Sequence, residues 1–445
     1  MMRHRFRLVV PLLAAVLTTA LTAALTGCAP DPERGVVTIV HPWSGTEPGQ
    51  EGYAFRQVLE AFRAETGIRY NEQVTRGVSQ LVLANLAAGE PPELAVMTSA
   101  GELAAHARSG RLRPLDGLVP RDRFRSWWAL PIRNGGAEHI YAVPFKVNLK
   151  GLIWYNRHAG PERVPRTWAE LERYATASGD GPATWCMGMG DGPNTGWPGT
   201  DVIEDLILHE HGPDTYLAWA GGRLSWRSEQ VRKAWERLGR VWGDHAYGGR
   251  EVTLLTDFGD AGAPMFASPQ GCRLEHQASF MLSFYQRYQN PSGGAARPGA
   301  DYDFFPFPSF PGRSFPTPRK ASIDLIAMFH DTPEARRLAE FLATDRAQRI
   351  WLEHTGGDAF MANRDADRGV TRNPVGRNID RHIDEAEVLC LDAADIMPAT
   401  MREAFQRGVL EYLANPDRLP DILEDLDEVR RGIPEDQWLS LSCGR

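Results

Sequence analysis

The chain has 445 residues, 42% of them hydrophobic and 24% charged, with 49 basic and 57 acidic side chains and a net charge of −8. That balance excludes a nucleic-acid binder, whose electrostatic footprint is a basic face. The length is that of two or three domains.

Arg3, Arg5 and Arg7 precede an uncharged apolar run from Leu8 to Leu25, which leads into Gly27 and Cys28. A basic start, an apolar middle and small residues before a cleavage point describe a secretory signal over residues 1–27. The tetrapeptide Leu25-Thr26-Gly27-Cys28 resembles the bacterial lipoprotein box. That resemblance implies lipidation of Cys28 as the first mature residue, followed by a tether over residues 28–35. Loss of the three arginines takes the net charge from −8 to −11, which keeps an exported protein soluble. No later stretch approaches the apolar length of a membrane span. The body is therefore expected on the extracellular face of the cell membrane, held there by lipid.

Beyond Cys28 the cysteines are Cys186, Cys272, Cys390 and Cys443, an even number in an oxidising compartment. Four cysteines allow three pairings, which sequence alone leaves open. Cys186–Cys272 and Cys390–Cys443 keep each pair within one region. None lies in a Cys-x-x-Cys motif, so neither zinc nor redox chemistry is signalled.

In chain order, "GVVTIVHPW" reads as a buried strand, and Phe55, Val58, Leu59 and Phe62 follow at helical spacing up to Gly67. "IRYNEQV" is a second strand. A helix through Val78, Leu81, Val82 and Leu86 comes next, then a third strand, "ELAVMT". Strand, helix, strand, helix, strand is the pattern of a parallel α/β sheet. "IYAVPF" and "GLIWYN" read as two short strands, with the polar "KVNLK" between them at a crossing point. Thr167 and Glu170 form a capping box for the next helix. Trp197 stands on a Gly- and Pro-rich loop before the helix "DVIEDLILHEH". A loop-heavy span from Asn290 to Lys320 holds one short strand, and "ASIDLIAMFH" returns to an apolar strand. Thr332-Pro333 opens one helix, "DRAQRIWLEHTGG" forms another, and two helices close the chain.

Several of these segments, "IWYN" after "AVPF", "PRTWAELERYA", "NTGWPGTDVIED", "GCRLEHQASF" and "DTPEARRLAEFLATDRAQRIWLEHTGG", resemble the extracellular solute-binding proteins, family 1, that feed bacterial ABC importers. "LDAADIMPA" resembles a late motif of an α-glucoside or oligosaccharide-type subgroup. The resemblance implies an α/β, two-lobed, periplasmic-binding-protein-like fold of type II, with a hinge and a cleft between lobes. The expected lobes are 36–145 plus 303–357 and 146–302 plus 358–445. It further implies a monomeric binding lipoprotein without catalysis, which takes a carbohydrate and delivers it to the permease subunits by lobe closure. No cofactor or metal is expected.

A sugar ring has an apolar face and a rim of hydroxyls. Aromatic rings serve the face, and charged or amide groups serve the rim. Trp197 and Asp201 fit these two roles. Trp43, Ser44 and Glu47 follow the first strand, at a carboxyl end where such sheets bind ligands. Lys146, Asn148 and Lys150 lie at the crossing. His276, Gln277 and Phe280 follow Cys272, and Asp324 interrupts an apolar strand where a carboxylate needs a partner. Gly356, Gly357 and Asp358 follow a helix, at a loop the family often places at its ligand. Structural readings stand beside these: Asp201 as a helix cap, Phe280 as core, Gly356 as a helix end.

Rival readings are narrower. A glycoside hydrolase needs two carboxylates across a cleft, whereas Asp201 and Asp205 are one helical turn apart. "HEH" at His209 to His211 is the one histidine cluster a metal-binding protein would use. Phosphodiester or peptide solutes remain alternatives to sugar.

Overall fold

The computed structural model describes residues 35–125, 128–177, 181–290, 293–357, 359–366 and 369–444. Cys28, its signal and most of the tether, along with Asp358, lie outside the described residues.

Thirteen strands are present among the described residues: β1 (Val36–His41), β2 (Arg69–Val74), β3 (Leu94–Met97), β4 (Ile132–Asn134), β5 (Ala137–His139), β6 (Ala142–Lys150), β7 (Leu152–Asn156), β8 (Ala183–Cys186), β9 (Cys272–Gln277), β10 (Tyr302–Pro306), β11 (Arg319–Met328), β12 (Phe360–Met361) and β13 (Leu389–Leu391). The larger sheet runs β12-β6-β11-β3-β1-β2, with β13 beside β11. β1 is parallel to β2 and β3, whereas β11 is antiparallel to β3 and β6. Val37, Ile39 and Val40 of β1 are fully buried, as a central strand covered on both faces requires. The helix Glu51–Thr66 turns Phe55, Val58, Leu59 and Phe62 onto this sheet and ends where Gly67 takes φ 72°.

The smaller sheet runs β10-β7-β9-β8. Helix Trp197–Ala220 packs on its strand β9, Glu229–Arg237 packs on that helix, and Trp168–Ala175 packs on the segment Leu238–Trp242. The Thr167 hydroxyl accepts from the Glu170 N–H, and the Glu170 carboxylate accepts from the Thr167 N–H, which completes the capping box. The closing helices Ala399–Ala414 and Leu419–Gly432 pack on each other, and the first also packs on Trp197–Ala220. The fold is thus two-lobed α/β. Relative to the divisions expected at 145/146, 302/303 and 357/358, pairing puts 146–150, 360–361 and 389–391 in the larger sheet. It puts 302–306 in the smaller.

Two elements differ from the sequence reading. "KVNLK" does not separate two short strands: it is the second half of β6, a continuous strand paired with β11 that ends at the crossing. Its polar residues occur at every second position, so they share one face while Val147 and Leu149 bury the other. Trp197 is likewise no loop residue. It opens the helix, with Pro198 in the first turn and Gly196 before it at φ 107°. Cys186 is bonded to Cys272 and Cys390 to Cys443, the pairing that keeps each bond within one region.

One residue, Gly151, joins β6 of the larger sheet to β7 of the smaller. It has φ 69°, and a Cβ there would meet the Asp205 carboxylate at 2.8 Å. Glycine is required twice over at this crossing, once for backbone sign and once for space.

Candidate solute-binding cavity

The cross-strand register of β6 and β11 builds the floor of a cavity. Lys146 faces Asp324, Asn148 faces Ser322, and Lys150 faces Lys320. All but Lys320 line a space of about 1110 Å³, partly open to solvent.

At one end, the Lys146 ammonium lies 2.5 Å from a Glu51 oxygen and 3.3 Å from Asp324. The Trp43 indole N–H donates to the same Asp324 oxygen at 3.3 Å. Burial opposes the Lys146 charge, yet Glu51 and Asp324 together hold its pKa above the ordinary lysine value. Burial pushes the Asp324 carboxyl up against the pull of Lys146. Trp43 borders the cavity but is 2% exposed, wedged among Phe55, Phe145 and Trp351.

At the other end, the Lys150 ammonium donates to both Asp201 oxygens at 3.0 Å and lies 3.0 Å from Asp392. It also stands 5.0 Å from the centre of the Trp197 ring. Asp201 therefore sits inside the helix and bonds the floor; it does not cap the helix. Behind this pair, Lys320 donates to the Asp201 carbonyl at 2.9 Å and to Glu204 at 3.0 Å. Glu204 in turn accepts from the Ala393 and Ala394 N–H groups, each at 3.0 Å. Burial pushes the Asp201 carboxyl up to about 7 against the pull of Lys150 and Lys320. Burial also opposes ionisation of Asp392, but there the two lysines hold the carboxyl well below the usual range.

Asp201, Glu204 and Asp392 each bring an oxygen within 4.8 Å of the others, a donor set that suits a cation. The cationic position is already filled. Lys320 Nζ is 3.4, 3.0 and 3.8 Å from the three carboxylates. Among the described residues His209 and His211 join no such group: His209 is buried against Phe307, and burial lowers its pKa to about 3.

A third side of the cavity is aromatic. Trp197 meets Phe258 edge-on with centroids 5.1 Å apart and Phe280 at 6.0 Å, and Phe284 stands 5.4 Å from Phe258. The Trp197 indole N–H donates to Asp191 at 3.0 Å, which fixes the ring. Asp191 also accepts from Arg76 at 2.8 Å, and the Arg76 guanidinium lies over Phe258. Arg76 follows β2 of the larger sheet and Asp191 follows β8 of the smaller, so this ion pair ties the two sides of the cavity at its edge.

Of the residues singled out from sequence, Trp43, Lys146, Asn148, Lys150, Trp197, Asp201, Phe280 and Asp324 meet at this one cavity. Ser44 and Glu47 are exposed on the loop after β1 and do not line it. Gly356 and Gly357, both with positive φ, border a separate depression beside Arg349 and Val370. His276 is buried beneath the floor, where its ring bonds Asp205 at 2.8 Å. Sequence reading missed Arg76, Asp191, Phe258, Phe284, Asp392 and Asp395. The local signals were the four-residue spacing of Phe280 and Phe284 and the motif "LDAADIMPA", which carries Asp392 and Asp395.

Residues 46–349 match the family described as bacterial extracellular solute-binding protein. The alpha-glucosides-binding periplasmic protein AglE of Rhizobium meliloti (strain 1021) is 31% identical over 394 residues, covering 85% of this chain and 83% of AglE. The osmoprotective compounds-binding protein GgtB of Synechocystis sp. (strain ATCC 27184 / PCC 6803 / Kazusa) is 29% identical over 402 residues, covering 87% of this chain and 90% of GgtB. In three dimensions the chain resembles the bacterial solute receptor AcbH, whose structure is described as showing an exclusive preference for β-D-galactopyranose. The TM-score is 0.71 at 18% identity, over 91% of this chain and 98% of that one. By sequence, the chain belongs to the bacterial extracellular solute-binding protein family of ABC importers.

Proposed function

We propose that the cavity takes a carbohydrate, an oligosaccharide or glycoside, and that the protein delivers it to its permease without altering it. One observation carries this reading: a fixed aromatic wall of Trp197, Phe258, Phe280 and Phe284 beside a floor of charged and amide groups. A pyranose face stacks on such rings, and its hydroxyls bond such a rim. The name of AglE supports the same class, and that of GgtB points to osmoprotective compounds beside it.

The hydrolase alternative finds little support. Asp201 is bonded to Lys150, and Asp205 to His276, with Lys320 at 3.7 Å. Neither is poised as a free general acid across the cavity. The lobes of this proposal follow the sheets, with Gly151 at one crossing between them. Attachment through lipid on Cys28, with the body acting as a monomer, completes the reading.

Thermal unfolding of the mature protein against a panel of oligosaccharides, metals, phosphodiesters and peptides tests it. A ligand at a hundred times its dissociation constant adds about 2.7 kcal/mol to the native state, several degrees of melting temperature. A shift with one sugar class and no new reducing ends is expected. A response confined to the other solutes would remove the carbohydrate claim and leave the family standing.

A further inference from the structure

The ionisable side chains at the cavity are almost all committed to each other. Glu51 and Asp324 hold Lys146. Asp191 holds Arg76. Asp201 and Asp392 hold Lys150, and Arg402 holds Glu102 at 3.1 Å. Asp395 is the exception. Its backbone N–H donates to Asp392 and its carbonyl accepts from Ser99. Its carboxyl makes no hydrogen bond or ion pair among the described residues, although it lines the cavity and is half-buried.

The backbone beneath Asp395 is held firmly. Asp392 caps the short helix Ala393–Ile396, and Glu204 accepts from its first two N–H groups. Asp395 is thus a carboxyl on a fixed mount, flanked by the charges of Lys150 and Arg402 and repelled by Asp392. A half-buried carboxyl without a partner carries a cost. An incoming hydroxyl offsets it, and that gain is realised only when solute is present.

We propose that Asp395 is a solute-contacting residue that bonds one particular hydroxyl of the ligand and so sets which sugars are accepted. This rests on the carbohydrate reading of the cavity. Burial and the charge of Asp392 push its carboxyl well up. A carboxyl that keeps its proton can donate to a hydroxyl oxygen as well as accept from its proton. A site built to hydrogen-bond a hydroxyl rejects the analogue that lacks it, since its own group is then stranded.

The test is a double-mutant cycle against a series of monodeoxy analogues of whichever sugar binds the wild-type mature protein best. In the wild type, one analogue should bind at least tenfold more weakly than its parent. In Asp395→Ala the parent should weaken by about the same factor, and the penalty for that one analogue should vanish. Asp395→Asn, which keeps an acceptor and donors, should recover part of the affinity. Without sugar both variants should melt no lower than wild type, because no protein group loses a partner and the cost of the stranded carboxyl is relieved. If every deoxy penalty persists in Asp395→Ala, or the variants bind the parent within twofold of wild type, the assignment is overturned. If no sugar binds the wild type, the carbohydrate reading fails and takes this inference with it.

Discussion

Under the proposed function, single side chains at this cavity have two separable jobs, binding solute and holding the floor together. Lys320 belongs to the second. Its ammonium is fully buried among Asp201, Glu204, Asp205 and Asp392. Removing one partner of a buried ionic network leaves uncompensated charge and costs about 3–5 kcal/mol. Lys320→Met should lower the unfolding free energy by that amount without any solute present, read as a fall in the urea midpoint. Glu275, in β9, gives a pH signature. Burial pushes its carboxyl up to about 8, with Tyr285 donating to it at 2.6 Å. Between the unfolded value, near 4.5, and 8 the native protein keeps a proton that the unfolded chain has released. Stability therefore falls as pH rises through that window, by at most about 1.4 kcal/mol per unit. Glu275→Gln should flatten the slope, read as urea midpoints between pH 5 and 8, and a slope unchanged from wild type would contradict it.

At the level of elements, the sequence made most of the fold legible, because helices and strands announce themselves by period. Phe55, Val58, Leu59 and Phe62 could face one way only in a helix, and Thr167 with Glu170 marked a helix start without tertiary help. β6 was harder. Lys146, Asn148 and Lys150 resemble a solvated loop until β11 supplies Asp324, Ser322 and Lys320 opposite them. The place of Asp392, Asp395 and Arg402 at the cavity was illegible for the same reason: they reach it from about 200 residues beyond Trp197 in the chain. Local pattern carries no information about such partners. The crossing at Gly151 yields an element-scale prediction. Gly151→Ala forces a side chain into φ 69° and against Asp205. Backbone strain and overpacking together should cost roughly 2–4 kcal/mol, checked by thermal or urea unfolding. A variant as stable as wild type would show that the crossing relaxes freely.

For the whole molecule, function depends on two lobes enclosing one solute, so contacts between them bias the equilibrium between open and closed forms. Arg76 is the clearest such contact, since it bonds Asp191, lies over Phe258 and offers its carbonyl to Asn194. Arg76→Ala should favour the open form. Small-angle scattering should then report a larger solute-free radius of gyration, and solute affinity should fall roughly tenfold. Unchanged scattering and affinity would remove the bridge from the account.

In the proposed complex a sugar lies against Trp197. Calorimetric titration of the mature protein with oligosaccharides, α-glucosides first, tests it most directly when run beside Trp197→Ala. Saturable one-to-one binding of one sugar class by the wild type is expected. Affinity in the variant should be lower by roughly 10- to 100-fold, or about 1.4–2.8 kcal/mol. Equal binding by wild type and variant, or heat from a non-sugar solute alone, would contradict it.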